Sequence, residues 1–147
     1  MAINTQKVIV AGIAAGVVMI VLDFVTQMML GDRMMADMNT FQPGLGDSMA
    51  TMSTNVMIGF FVMDLVIGML LAYTYAAIRP RFGPGPKTAI IVALMFWIFG
   101  SIISSNYLIM GMMSRSLWLT FGLVYLVCLI IASLVAGALY KEDTATA

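Results

Sequence analysis

Four apolar stretches, residues 8–30, 56–78, 88–109 and 117–139, are each long enough to cross a bilayer, whose hydrocarbon core of about 30 Å takes roughly 20 helical residues. No other feature narrows the fold as far. Backbone groups in lipid must be hydrogen-bonded within the protein, so spanning segments are either helices or strands of a closed barrel. Barrel strands would be shorter and would alternate apolar with polar residues, and these stretches do not. The expected fold is therefore all-α, one membrane domain over residues 1–147 arranged as an antiparallel bundle of four transmembrane helices. Composition agrees: 62% of residues are hydrophobic, 10% are charged, and the mean hydropathy is +1.03, outside the range of soluble domains. The first stretch is too long for the apolar part of a signal peptide and no small-residue cleavage pattern follows it, so it is expected to stay as an anchor.

Placement of charge then sets orientation, because Lys and Arg accumulate on the cytoplasmic side. Lys7, Arg79, Arg81, Lys87 and Lys141 fall on one side of the expected helices, against Arg33 and Arg115 on the other. Both termini are expected in the cytoplasm, in a bacterial inner membrane. The net charge of zero gives no basic excess for nucleic acid. The expected partners are the lipid bilayer and either further copies of the chain or a larger membrane complex.

Between the second and third stretches, "RPRFGPGPKT" (Arg79 to Thr88) holds three prolines and two glycines. No helix is expected through it, and residues 79–87 are read as a short, stiff cytoplasmic hairpin. In "YAAIRPRFGPGPKTA", Tyr75 to Ala89, the sequence resembles small bacterial membrane proteins with four predicted helices. That resemblance spans about a tenth of the chain, implies the same membrane architecture and carries no assigned activity. On the opposite side, residues 31–55 are expected to form a long outer loop. Within it Met34, Met35, Met38 and Phe41 recur at helical spacing, as a short amphipathic helix at the interface would require.

Chemistry is confined by what is missing. Histidine is absent and Cys128 is the single cysteine, which removes Ser-His-Asp and Cys-His catalysis and most zinc or haem sites. What remains is a pair of intramembrane aspartates in matched settings, "VLDFVTQMM" around Asp23 and "VMDLVIGML" around Asp64. An ionised aspartate near a bilayer centre costs about 2.5 to 3.5 kcal/mol on insertion scales. Asp23 shares a helical face with Gly12, Gly16, Ile20 and Gln27, and Asp64 with Phe60, Gly68, Ala72 and Tyr75. Small residues mark close helix approach, so both carboxyls are expected to point into the bundle.

Counting inward from the outer helix ends places Asp23, Asp64, Ser101 and Tyr125 in one polar layer. Gln27, Ser105, Asn106 and Thr120 form a shallower tier, over an almost wholly apolar inner half. The candidate binding residues are thus Asp23, Asp64, Ser101, Tyr125, Gln27 and Asn106, taking a proton, a cation or a small cationic solute. The alternative is an accessory subunit whose aspartates are structural, hydrogen-bonded to Ser101, Ser104 or Tyr125. No cofactor and no enzymatic activity are expected: the G-x-G-D signature of intramembrane aspartyl proteases is missing, since Asp64 follows Phe61, Val62 and Met63. A lesser reading rests on 16 methionines, because thioethers suit Cu(I). Its candidates are Met34, Met35, Met38, Met110, Met112 and Met113. Trp97, Trp118, Tyr107 and Tyr140 are expected as interfacial belt residues.

Overall fold

A computed structural model describes residues 3–141 of the protein. Among the described residues there are five helices: α1 (Thr5–Phe41), α2 (Leu45–Ala50), α3 (Thr54–Phe82), α4 (Pro86–Ile109) and α5 (Arg115–Leu139). All but α2 are long and apolar enough to cross a membrane. Two of them start at side-chain caps: Asn4 accepts from the Lys7 N–H and Ser114 from the Leu117 N–H, each at 3.1 Å, which satisfies donors that a helix start otherwise leaves unbonded.

Helix α1 corrects the expected outer loop. It runs for 37 residues without a break, so residues 31–41 belong to it, and irregular backbone is left only at 42–44 and 51–53. Hydropathy falls at Gly31 because charges begin there, yet Asp32, Arg33, Met34, Met35 and Ala36 are all compatible with a helix. What ends the helix is Pro43 followed by Gly44, whose φ of +84° suits glycine. The expected separate amphipathic helix around Met34 to Phe41 is the tip of α1. At 1.5 Å per residue α1 is about 55 Å long, well beyond a hydrocarbon core of about 30 Å. Helix α2 folds back on this tip, with Asn39 donating to Asp47 at 2.9 Å and accepting from the Gly46 N–H at 2.8 Å.

The expected hairpin over 79–87 is likewise narrower. Helix α3 continues through Arg79, Pro80 and Arg81 to Phe82, and the turn is residues 83–85. Pro80 lies in the last turn, where its missing N–H removes one bond from a helix already built upstream. The chain turns instead at Gly83 and Gly85, with φ of +85° and +119°. The Tyr75 hydroxyl accepts from the Gly85 N–H at 2.9 Å, and Thr88 Oγ1 donates to the Gly83 carbonyl at 2.6 Å.

Helix α1 packs against α3 and α5, α4 packs against α5 and α3, and α1 and α4 are not neighbours. The α1–α3 seam is antiparallel, with Gly12 against Met69, Gly16 against Leu65, and Gly68 seated on the Gly16 backbone. The α4–α5 seam is also antiparallel: Ser133 Oγ donates to the Ala89 carbonyl at 2.7 Å and Trp97 Nε1 to the Gly122 carbonyl at 2.7 Å. Buried side chains concentrate toward the end that holds the 83–85 turn, from Val8 to Met19, Asp64 to Ala76, Thr88 to Ala93 and Cys128 to Tyr140. At that end Tyr140 is 1% exposed, so it is not the belt residue expected. Its ring meets Tyr75 edge-on at 6.3 Å, its hydroxyl accepts from the Asn4 N–H at 3.3 Å, and the Arg79 guanidinium lies 5.9 Å from its centroid.

A methyl group on Gly68 would collide with the Gly16 backbone, whereas one on Gly59 of the same helix meets open space. Gly68→Ala is expected to lower the thermal midpoint of the detergent-solubilised protein by the equivalent of about 1 to 3 kcal/mol. Gly59→Ala is expected to hold or raise it, by up to about 1 kcal/mol.

Candidate functional site

Above the glycine seam α1 and α3 separate, and a cavity of about 580 Å³ opens between them and α5. Helix α1 contributes Asp23, Thr26 and Gln27 with Ile20, Phe24 and Met34; α3 contributes Asp64 with Met57, Phe60 and Phe61; α5 contributes Tyr125 with Phe121 and Val124. Met52, from the link between α2 and α3, completes the wall. Four of the six expected binding residues are therefore brought together: Asp23, Asp64, Tyr125 and Gln27.

The two carboxyl groups lie within hydrogen-bonding reach of each other. Side-chain direction brings them together more than equal depth does. In the register of Gly12 with Met69 and Gly16 with Leu65, the Cα of Asp23 stands about 9 Å farther from the end with the 83–85 turn than that of Asp64, at 1.5 Å per residue. Every Cα–Cβ bond leans toward its helix N-terminus. On antiparallel helices that lean carries Asp23 down toward Ile20 and Asp64 up toward Phe60, so the carboxyls converge. Asp64 is 3% exposed and lies at the cavity floor.

Ser101 and Asn106 do not line this cavity. Both are on α4, which α3 and α5 hold away from α1, so an outward count along each helix aligned their depth but not their azimuth. Neighbouring α4 hydroxyls are occupied elsewhere. Ser104 Oγ donates to the Ser101 carbonyl at 3.2 Å and accepts from Trp118 Nε1 at 3.0 Å, and Ser105 Oγ donates to the Ile102 carbonyl at 2.6 Å. The serines proposed as structural partners for the aspartates are thus not placed to serve them.

No lysine or arginine lines the cavity. Arg33 Nη2 donates to Ser116 Oγ at 3.1 Å, and Arg115 borders a separate depression with Phe41 and Met113. Among the described residues the carboxyl pair therefore has no basic side chain beside it. Among the described residues no group of three or more His, Cys, Asp or Glu side chains is placed to hold a metal ion. Of the methionines of the copper reading, Met34 lines the cavity, Met38 is buried, Met113 borders the other depression, and Met110 is 70% exposed.

The sequence reading missed the aromatic wall, Phe24, Phe60, Phe61 and Phe121. Phe60 was on the Asp64 face, at i−4, and the same spacing from Tyr125 would have yielded Phe121.

Removing charge from a carboxyl that lacks a compensating cation is neutral or stabilising, because the desolvation cost disappears with it. Asp23→Asn and Asp64→Asn are each expected to give a ligand-free thermal midpoint no lower than that of the native protein. A fall equivalent to about 3 kcal/mol or more, the cost of breaking a compensated buried pair, would show that fixed protein partners hold the carboxylates.

No protein-family model matches the chain, and no curated protein or solved structure is significantly similar to it, so a functional reading rests on the geometry.

Proposed function

We propose that this is a multi-pass protein of a bacterial inner membrane, a four-helix transmembrane bundle with both termini in the cytoplasm, that binds a monovalent cation at the Asp23–Asp64 pair. The observation carrying this reading is the pairing itself. Two carboxyl groups within hydrogen-bonding reach, one of them buried, face a cavity with no basic side chain in it. Two like charges in a low-dielectric space repel, so the pair is balanced by a proton or by a bound cation, and exchange between the two is a chemical cycle the site supports. Tyr125 and Gln27 stand beside the carboxyls as neutral oxygen ligands.

The inner half closes the cavity from below, with Met19, Leu71 and Leu129 fully buried there. Four helices that close one end do not by themselves make a path to the other side, so translocation implies a homodimer or larger assembly. Orientation follows from the basic residues Lys7, Arg79, Arg81, Lys87 and Lys141, which the fold gathers near the 83–85 turn and the termini.

Binding is measured by the thermal midpoint of the purified protein against a panel of inorganic and organic monovalent cations. A cation at a hundred times its dissociation constant should raise stability by about 2.7 kcal/mol. Asp64→Asn is expected to abolish the shift, while Ser101→Ala and Asn106→Ala leave it intact. No shift with any cation would overturn the reading, and co-purification of a fixed partner would then favour the accessory-subunit alternative. Topology is checked in intact cells: a membrane-impermeant maleimide should label Met110→Cys from outside and Phe82→Cys after permeabilisation only.

A further inference from the structure

The cavity holds more than a charge site, and its shape and lining specify the kind of cation. Its volume of about 580 Å³ falls within the range of roughly 300 to 1,000 Å³ typical of sites for drug-sized molecules. At about 30 Å³ per water, an inorganic ion held by the two carboxyls would leave space for more than a dozen waters. Such a water cluster would lie against Phe24, Phe60, Phe61, Phe121 and the Tyr125 ring. Aromatic faces are poor partners for water and good partners for a weakly hydrated cation, which they attract through the ring quadrupole.

We propose that the Asp23–Asp64 cavity takes an amphipathic organic cation, a substituted ammonium or phosphonium whose charge rests near the carboxyls and whose apolar arms fill the aromatic wall. The proposal rests on the cation-binding reading above and specifies its ligand class. Three features bear on it independently. Asp64, 3% exposed at the floor, supplies a charge that a net cation neutralises, whereas the phosphate of a zwitterionic lipid headgroup would be repelled. The polar lining is confined to Asp23, Asp64, Thr26, Gln27 and Tyr125, and Thr26 already donates to the Leu22 carbonyl at 2.8 Å. A set that sparse orients one charged centre and leaves most of the wall to apolar and aromatic side chains. The rim is apolar as well, with Phe24, Phe60 and Phe61 exposed by 57, 45 and 39%. A ligand soluble in the bilayer can therefore enter from the side without crossing a polar barrier.

The test uses the full chain in a neutral detergent, with tetraphenylphosphonium as the probe, followed by equilibrium dialysis. Saturable binding is expected. Asp64→Asn should weaken it about thirtyfold or more, as loss of a buried charge partner does. Phe61→Leu, which keeps apolar bulk and removes the ring, should weaken it about threefold to tenfold. Each variant is compared at matched gel-filtration profile and thermal midpoint, so that a misfolded protein is not scored. Binding of tetraphenylphosphonium that is absent, or unchanged by Asp64→Asn, overturns the ligand class. If Na⁺ or K⁺ still raises the midpoint in an Asp64-dependent way, the cation site survives that result; if no cation does, both readings fail together.

Discussion

The contact on which the rest of the structure depends is between two helix backbones: Gly68 of α3 seated on Gly16 of α1, with Gly12 one turn below. In lipid, apolar side chains gain little by leaving the solvent, so helices associate where their backbones can approach and pack. Three glycines provide that approach and fix the register of α1 on α3. Everything above the seam follows from the register. The two aspartates are brought into reach of one another, and the next turns of both helices, no longer drawn together by small residues, part to form the cavity. The seam also explains how one of these carboxyls is tolerated. Asp64 begins one turn from Gly68, where the helices are closest, and so it is screened from lipid by α1 while remaining open to the cavity.

Much of this was legible in the sequence. The four spans and the small-residue faces that carry Asp23 and Asp64 follow from hydropathy and from i, i+3, i+4 spacing, since both report which side of a helix is apolar or narrow; the equal depth expected of the two aspartates does not hold, and their side-chain direction closes the offset. Boundaries were less legible, because hydropathy reports the edge of the membrane and not the end of a helix. At Gly31 the two differ by eleven residues, and at Arg79 by four. The placement of Ser101 and Asn106 beside the aspartates failed for another reason. Depth along a helix can be counted from its sequence, but which helices are neighbours depends on packing, and α4 lies across the bundle from α1. Tyr140 deceived in the same way: a tyrosine at a span's end resembles a belt residue until Asn4 and Tyr75 are seen around it.

The end that holds the 83–85 turn and the end that holds α2 are built by opposite means. At the first, hydrogen bonds, the Tyr75–Tyr140 edge contact and the Arg79 guanidinium join the start of α1, the end of α3, the 83–85 turn and the end of α5. These are directional contacts centred on the buried rings of Tyr75 and Tyr140. At the second, the α3 residues from Thr54 to Met63 are all exposed within the chain, and the cavity separates them from α1. Conformational change in such a bundle is concentrated where the contacts are fewest.

Because α1 is one uninterrupted rod, it would act as a lever under any tilt about its closest contact. Gly16 is its fulcrum, and the 25 residues from there to Phe41 make an arm of about 37 Å. Rotating that arm by about 10° moves its tip by about 6 Å, using the same rise per residue. The tip is not free: Asp37 accepts from the Ser114 N–H at 2.9 Å, and Arg33 holds Ser116. A tilt of α1 about Gly16 would therefore be felt, magnified, at the α4–α5 turn.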